Sequence, residues 1–370
     1  MKLNKERVDE LVVTGYLNRI KHLEKDIYVL KYSRNCQFEK QWEELTLMAR
    51  GLVIDGNYNI IARPFGKFFN IEEHDFNELP KTNFEVFDKM DGSLGIVFFY
   101  DGEWHICTSG SFISDQAVKG KEILESKNIN VLDKTKTYLF EIIFDSNRIV
   151  VDYGNKEDLV MLAAFDTDSG EEVSYDELVI KYFNTYEVVR RFDGLNDLSK
   201  IREVQHNNKE GYVIRFSNGL RIKAKFAEYV RLHSILTQMS NLVIWKSLRY
   251  GIDLDIREVP DEFDDWVKET KKDLLANFGE YKYEINKRYY SIIRIFTDDQ
   301  NSLNSTKNID LEEFVKLAKK EKKYFDYLMM KFKQKDIDDS IWRNIRPKYT
   351  LPFIEEEYSI LLIFKNKLNK

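Results

Sequence analysis

The sequence predicts an α+β fold in which a strand-rich part comes first and an all-helical part follows. Residues 1–240 contain many short apolar runs rich in Val, Ile, Phe and Tyr, separated by turn residues such as Asp-Gly. These runs do not alternate regularly with helical stretches, so mostly antiparallel sheets with flanking helices fit better than a doubly wound sheet. In residues 241–370 the apolar residues recur at helical spacing. We therefore expect two domains, divided at about residue 240.

Composition limits the class of protein. The chain has 370 residues, 43% hydrophobic and 14% aromatic, which is ample material for a folded core. Its net charge of −6 does not indicate a nucleic-acid binder, so any basic surface must be local. Two cysteines are too few for a disulfide framework. The first residues lack an apolar signal core, and no apolar run is long enough to span a membrane, so we expect a cytoplasmic protein.

The strand-rich part can be divided into elements in chain order. Residues 1–30 have a helical pattern, although residues 27–32 already favour a strand. A hairpin is predicted over residues 49–63, around Asp55-Gly56-Asn57. A helix is predicted over residues 115–127. Further strands are predicted over residues 84–100, 103–108, 138–144, 148–153, 158–165, 209–216 and 220–225.

The remaining residues favour helices. Apolar residues with few strand-type turns predict helices over residues 227–250, 261–277, 281–298, 311–333 and 354–367. Three prolines, Pro260, Pro347 and Pro352, interrupt this part of the chain.

Lys89-Met90-Asp91-Gly92-Ser93 lies between two apolar runs and carries the first chemical signal. Asp-Gly permits a tight turn, which would present the Lys89 amine at the edge of a hairpin. A lysine is a nucleophile only without its proton, and burial or neighbouring cations favour that state. A surface hairpin with an exposed lysine is the alternative, and these five residues alone do not exclude it.

Charged residues in later strands add to this signal. Glu141 interrupts an apolar run, where a charge is costly unless it is paired or bound, but strand alternation could equally point it outward. Glu210-Gly211 opens another strand. Lys223 and Lys225, two residues apart, lie on one face of the last strand, which is either solvated or part of a site.

Taken in order, these motifs resemble those of the covalent nucleotidyltransferases: ATP-dependent DNA and RNA ligases and RNA capping enzymes. Lys89-Met-Asp-Gly-Ser is similar to their nucleotide-attachment motif. Within this superfamily the sequence most resembles the T4 RNA ligase 1 family, over nearly all of residues 1–240. Further similar segments are Arg50-Gly51, Arg63-Pro64 with Lys67-Phe68-Phe69-Asn70, Ser146-Asn147-Arg148, Ser174-Tyr175-Asp176 and Leu232-His233-Ser234.

The resemblance implies an RNA ligase that uses ATP and Mg²⁺ to join 5′-phosphate and 3′-hydroxyl RNA ends. AMP would be attached to Lys89, passed to the 5′-phosphate, and displaced by the 3′-hydroxyl. Residues 1–240 would be the adenylyltransferase domain. Phe69, Tyr153 and Val213 are candidates for contact with adenine. The other implied nucleotide-binding residues are Tyr32, Arg50, Lys67, Glu141, Glu210, Lys223 and Lys225.

The resemblance also implies a biological setting. It suggests repair of broken tRNA anticodon loops, with the helical residues 241–370 as a tRNA-specificity domain. It further suggests a monomer of bacteriophage origin, acting in the cytoplasm of the infected host cell.

Two site predictions remain open. Asp255, close to Asp253, is a candidate metal ligand, and a solvated acidic helix end is the alternative. In the family's prototype a lysine precedes the Gly-Ser that matches Gly110-Ser111, whereas this chain has Ser109. One basic contact near the nucleotide is therefore either missing or supplied elsewhere, with Lys119 and Lys121 as the candidates.

Two other functions are weighed. A DNA ligase or a capping enzyme usually has an OB-type β domain after the last motif, so the helical pattern of residues 241–370 argues against both. A catalytically inactive RNA-binding relative is the third possibility. Retention of Lys89, both glutamates and the lysine pair argues against it.

Overall fold

The protein is described by a computed structural model that covers residues 1–256, 259, 261–296 and 309–351. These residues form two compact units, the first Met1–His233 and the second beginning at Ser234. All strands of the described residues lie in the first unit, in three largely antiparallel sheets, and the second unit is helical there. The predicted α+β fold is confirmed. The roles assigned to residues 1–240 and 241–370 stay predictions.

The first sheet has four antiparallel strands in chain order, with short helices around it. The predicted helix over residues 1–30 is wrong beyond Val13, because Gly15 adopts a φ of +78°, which ends the helix, and a strand follows. The strands are β1 (Leu17–Lys21), β2 (Ile27–Tyr32), β3 (Arg50–Asp55) and β4 (Ile60–Ala62), and the helices are α1 (Lys5–Val13), α2 (Arg34–Phe38) and α3 (Glu44–Met48).

The second sheet has the order β10-β9-β7-β8 and is antiparallel throughout. One face packs on the first sheet through an apolar layer that includes Val29, Val53 and Phe98. Helices α4 (Asp115–Ser126) and α5 (Tyr175–Tyr182) contribute to the apolar cluster on its other face. The strands are β7 (Ser93–Tyr100), β8 (Glu103–Thr108), β9 (Lys136–Ile143) and β10 (Asp158–Asp166).

The third sheet has the order β11-β6-β12-β13-β5, and only its β13–β5 pair is parallel. Buried Phe87 of this sheet packs with Ile143 and Val160 of the second sheet. Helix α6 (Leu198–Glu203) precedes β12. The strands are β5 (Phe69–Asn70), β6 (Phe84–Lys89), β11 (Arg191–Phe192), β12 (Gly211–Phe216) and β13 (Arg221–Lys225).

The stretch around Lys89 is not the predicted hairpin. Strand β6 belongs to the third sheet and β7 to the second, so residues 90–92 carry the chain from one sheet to the other. The predicted strand over residues 148–153 is also absent. The backbone N–H groups of Val150 and Val151 donate instead to the Asp91 carboxylate, which takes the place of a strand partner.

The described part of the second unit contains longer helices and more breaks than predicted. Residues 227–250 form two helices, because Ser240 caps the second one at its N-terminus. Two predicted helices merge into one of 36 residues, α9. The helix predicted over residues 354–367 lies outside the described residues. The helices are α7 (Ala227–Gln238), α8 (Asn241–Tyr250), α9 (Asp261–Phe296), α10 (Leu311–Ala318), α11 (Phe325–Phe332) and α12 (Asp338–Asn344).

Among the described residues, none of the helices combines the length and apolar character that crossing a membrane requires.

Candidate active site

A pocket of about 620 Å³ opens in the first unit where β6, β9, β12 and β13 meet. Its lining brings together five of the residues singled out from the sequence: Arg50, Lys89, Glu141, Glu210 and Lys225. The rest of the wall is largely apolar and includes Phe65, Phe87, Leu162, Val189 and Val213. The pocket therefore combines charged and apolar lining residues, the usual composition of a site for an amphipathic ligand.

Glu210 links the two lysines of this pocket. Its carboxylate is 2.8 Å from the Lys89 Nζ through one oxygen and 2.8 Å from the Lys225 Nζ through the other. The side chain is only 4% exposed, so both ion pairs lie in a region of reduced solvent screening. The sheet register produces this arrangement, because Gly211 pairs with Lys89 on one side and with Lys225 on the other.

Gly211 is required for that approach. Its φ is +151°, and a Cβ atom at this position would lie 2.1 Å from the carbonyl oxygen of Ala224. Only glycine accepts both the conformation and the contact. The Glu-Gly motif therefore has a physical reason: the glycine allows β12 and β13 to pair tightly at the point where Glu210 enters the pocket.

Asp91 fixes the segment that follows Lys89. Its buried carboxylate, 4% exposed, accepts hydrogen bonds from the backbone N–H groups of Val150 and Val151, each at 3.0 Å, and from the Tyr229 hydroxyl at 2.7 Å. The Asp91 N–H donates to the Tyr153 hydroxyl at 2.8 Å. Asp91 thus anchors the crossing between sheets, whereas the sequence suggested only a turn.

Glu141 faces the pocket. The structure therefore favours a paired or bound carboxylate over the alternative, in which strand alternation points the side chain outward. Strand β9 is flanked by β7 and β10, and the Glu141 side chain lines the cavity. Burial raises the pKa of this carboxyl to about 7; Lys89 and Arg50 oppose the shift, and Glu210 adds to it. Within the described residues no hydrogen bond or ion pair holds the Glu141 oxygens, which leaves them available to a ligand.

Lys223 lies beside this pocket, in a neighbouring cavity of about 660 Å³ that Lys225 and Tyr229 also line. Burial, together with the positive charges of Lys67, Lys225, Lys89 and Arg50, lowers the pKa of Lys223 to about 8. These cations are therefore close enough to interact. The predicted group of basic residues is one cluster in space, although not all of its members line the same cavity.

Lys67 and Tyr32 occupy an aromatic cage and do not line the main pocket. The Lys67 Nζ lies 5.1 Å from the centre of the Tyr32 ring, 5.5 Å from Trp42 and 5.3 Å from Phe69, within cation–π distance of each. The Phe69 ring therefore contacts Lys67 and does not line the pocket. Of the three candidates for adenine contact, only Val213 lines the pocket.

Asp255 belongs to the second unit, where its side chain is exposed between α8 and α9. No group of three or more His, Cys, Asp or Glu side chains that could hold a metal ion exists in the part of the chain that the structure describes. Its role as a metal ligand stays a prediction. Glu141 is the pocket carboxylate with oxygens available to a cation.

The charge for which Lys119 and Lys121 were the candidates comes from neither. Lys119 pairs with Glu157 at 2.9 Å and Lys121 with Glu125 at 3.8 Å, and neither lysine lines the pocket. Ser109 and Gly110 do line it, together with Lys31, which was not among the predicted site residues. Strand alternation places Lys31 and Tyr32 on opposite faces of β2, so the prediction of Tyr32 as a site residue pointed away from this lysine.

A second group of residues that line the pocket was not predicted from the sequence. Arg215 and Arg221 stand directly opposite each other in the β12–β13 hairpin and both bind the Glu172 carboxylate. Arg215 also binds Glu85, which pairs with Arg191 at 2.9 Å. Two opposed arginines need such carboxylates to avoid repulsion. Their facing positions were visible in the sequence, but their distant acidic partners were not.

Comparison with known proteins identifies relatives of this site. The family model described as RNA ligase, that of the T4 RNA ligase 1 family, matches residues 48–230, which contain all of the pocket residues named above except Lys31. A polynucleotide kinase/RNA ligase from Autographa californica nuclear polyhedrosis virus is 27% identical over 252 residues, covering 60% of this chain and 35% of that protein. An RNA ligase from Rhodothermus phage RM378 is 25% identical over 206 residues, covering 43% and 46%.

Among solved structures, a Naegleria gruberi RNA ligase variant with ATP and Mn matches with a TM-score of 0.37 at 19% identity, covering 43% of this chain and 53% of that one. The chain thus spans about a third to a half of the length of the curated relatives it matches.

Proposed function

Residues 48–230 belong to the T4 RNA ligase 1 family, and on that premise we propose that the protein is an ATP-dependent RNA ligase. It joins a 5′-phosphate to a 3′-hydroxyl of RNA through an adenylated lysine. One observation carries the proposal: Lys89 lines a pocket large enough for a nucleotide and contacts the buried carboxylate that also contacts Lys225. A lysine on a surface hairpin would have no such partners.

Lys89 is the proposed nucleophile of the first step. Its Nζ attacks the α-phosphorus of ATP; a nitrogen–phosphorus bond forms, the bond to the bridging oxygen breaks, and pyrophosphate leaves. The ammonium must first lose its proton. Glu210, at 2.8 Å, is the pocket carboxylate in position to take part in that transfer. In the next step an oxygen of the RNA 5′-phosphate attacks the same phosphorus, and the Lys89 amine is released.

The third step joins the two RNA ends. The 3′-hydroxyl attacks the 5′-phosphorus, a new phosphodiester bond forms, and AMP leaves. No protein nucleophile is needed here, so the contribution of the pocket is positioning and charge neutralisation. Lys225, Lys223 and Arg50 supply positive charge near Lys89, consistent with a ligand that carries several phosphates.

The two parts of the pocket fit the two parts of ATP. Val213 and Leu162 belong to its apolar wall, against which a base can stack. The cations lie toward Lys89, where the α-phosphate must be for attack. Tyr32 and Lys67 act from outside the cavity, because their aromatic cage adjoins the cationic cluster.

Mg²⁺ fits this pocket through Glu141. Mg²⁺ is usually held by one or two carboxylates together with substrate phosphates, so a cluster of three acidic residues is not required. Glu141 supplies carboxylate oxygens that no described residue occupies, and a cation there would favour its ionised form. When bound, the ion would neutralise phosphate charge. Asp255 is a further candidate ligand, for a separate ion in the second unit.

The RNA that we propose as substrate is a tRNA broken in its anticodon loop. The support is the family resemblance and a helical second unit in place of the OB-type domain usual in DNA ligases. The second unit would then favour tRNA over other RNA. We also propose that the chain acts as a monomer in the cytoplasm of a phage-infected cell.

A labelling experiment tests this function. Incubated with α-labelled ATP and Mg²⁺, the wild-type chain should retain label after denaturation and release it in acid, because a phosphoramidate is acid-labile. The labelled protein should then seal a nicked stem-loop RNA with 5′-phosphate and 3′-hydroxyl ends. Sealing of a nicked DNA duplex alone, or labelling by GTP and not by ATP, would contradict the proposal and point to a DNA ligase or a capping enzyme.

The pH dependence of ATP binding gives a further prediction. A protonated Lys223 attracts the triphosphate and a neutral one does not, so ATP affinity should fall as the pH rises through about 8. The loss should approach one charge-assisted hydrogen bond, on the order of 1.5–3 kcal/mol. Calorimetry with a Lys89→Arg chain, which cannot react, measures it. Lys223→Arg keeps its charge and should lose the fall near pH 8, keeping only the change near pH 7 that ionisation of Glu141 causes. An equally steep fall near pH 8 in that variant would refute the assignment.

A further inference from the structure

Lys31 stands beside Arg50 at the wall of the pocket. The two residues are directly opposite each other in the β2–β3 ladder, and both side chains line the cavity. A bulge between Leu30 and Lys31 shifts the register just before this pair. Opposed residues of an antiparallel ladder project to the same face, so two positive charges are presented side by side.

The turn after β8 closes tightly against this pair. Gly51, next to Arg50, has a φ of +105°, and a Cβ atom there would lie 2.9 Å from the Ser109 Cα. A glycine at this position therefore lets β3 approach the turn. At the same turn, a Cβ atom on Gly110 would lie 3.3 Å from the Lys31 Nζ. The Lys31 amine is thus packed against a backbone segment that itself lines the pocket.

Among the residues that the structure describes, Lys31 has no acidic partner. Lys119, Lys127 and Lys209 each pair with a carboxylate at 2.9 Å or less. Within the described ranges no carboxylate forms an ion pair with Lys31 or with Arg50. Two adjacent half-buried cations repel each other and lose hydration. The charges of Glu141 and Glu210 attract Arg50 without forming an ion pair with it, so an anion that meets both cations would stabilise the arrangement further. Phosphate oxygens are well suited, because they accept several charge-assisted hydrogen bonds at once.

We propose that Lys31 and Arg50 form a phosphate subsite of the pocket, in which Lys31 is a positioning residue. The inference rests on the proposed function and deepens it. The ligand is a terminal phosphate group, from either of two sources: the β- and γ-phosphates of ATP, or the 5′-phosphate of RNA. Lys31 donates from its amine to phosphate oxygens and takes no part in bond making.

Ser109 allows a direct test of the subsite, because the positive charge removed from residue 31 can be reintroduced at residue 109. Ser109 lines the pocket next to Gly110, against which Lys31 packs. A lysine at 109 would start from the same turn and reach the same space. If the positive charge itself matters, Ser109→Lys should compensate for Lys31→Met. A purely structural role of the Lys31 stem would not respond in this way.

The experiment compares Lys31→Met, Lys31→Met/Ser109→Lys and Lys121→Met with the wild-type chain. Lys121→Met is the matched control, since that lysine pairs weakly with Glu125 and does not line the pocket. One arm measures the ATP dependence of lysine adenylation. The other measures transfer of AMP from purified adenylated enzyme to 5′-phosphorylated RNA. Lys31→Met should lower one of them roughly 10- to 100-fold, with partial recovery in the double variant.

The arm that responds identifies the source of the phosphate. Binding of inorganic tripolyphosphate, measured by calorimetry, adds a readout that needs no activity, and Lys31→Met should weaken it at least about tenfold. The subsite is refuted if Lys31→Met equals Lys121→Met in both arms and in tripolyphosphate binding. It is also refuted if activity falls while this binding is unchanged. Failure of the wild-type chain to take label from ATP would instead refute the proposed function, and tripolyphosphate binding would still decide the subsite.

Discussion

Lys89→Arg is expected to abolish uptake of labelled AMP while the chain stays folded. Arginine keeps the positive charge and can still pair with Glu210, so the cluster of charges remains balanced. Its guanidinium does not lose a proton under working conditions and therefore cannot attack phosphorus. We expect labelling to fall on the order of 10⁴-fold or more, as when an enzyme loses its nucleophile.

The measurement is acid-labile label on the denatured chain, with circular dichroism and thermal unfolding as folding checks. Lys209→Arg is the matched control, because Lys209 pairs with Asp88, the residue before Lys89, at 2.9 Å. It should label like the wild type. Equal labelling of Lys89→Arg would show that another residue carries the AMP. A Lys89→Arg chain that labels poorly but seals RNA supplied with a 5′-adenylate would locate the defect in the first step.

Asp91→Ala should cause the largest loss of stability in the first unit. The change leaves two buried backbone N–H groups and the Tyr229 hydroxyl without an acceptor. Unmet buried donors cost about 1–3 kcal/mol each, partly relieved by water, so the free energy of unfolding should fall by roughly 3–5 kcal/mol. Asp91→Asn retains one acceptor oxygen and should be intermediate.

Urea unfolding of the purified variants measures this effect. Asp88→Ala is the control, since Asp88 forms a partly exposed ion pair with Lys209 and its loss should cost no more than about 1 kcal/mol. Equal stabilities of Asp91→Ala and Asp88→Ala would mean that Asp91 does not anchor the crossing. Adenylation by Asp91→Ala should also be slow at temperatures where the variant is still folded, because the segment after Lys89 would no longer be held.

The motifs were predictable from sequence because each lies within a few consecutive residues. Lys89, Glu141, Glu210 and Lys225 were found as separate signals and do line one pocket. Local patterns also gave most strand positions, such as Ile27–Tyr32, since apolar strands and turn residues alternate at short range.

The connections between motifs were not predictable, because they depend on contacts far apart in the chain. The Asp91-Gly92 pair predicted a turn. The groups that donate to the Asp91 carboxylate, however, are 59, 60 and 138 residues away in the chain. The two valines among these partners consequently form no strand. The aromatic cage of Lys67 likewise draws on three segments, and no local pattern places a lysine among rings that come from separate parts of the sequence.

The shared carboxylate of Glu210 has a consequence for the order of events. Before reaction it counterbalances two ammonium groups. In the proposed mechanism Lys89 loses its proton before attack and its nitrogen is then bonded to phosphorus, so Glu210 is left with Lys225 alone. Once that proton has left the pocket, the interior is more negative by one elementary charge when pyrophosphate must depart. Adenylation would thus help to expel its own by-product and clear the entrance for the next polyanion.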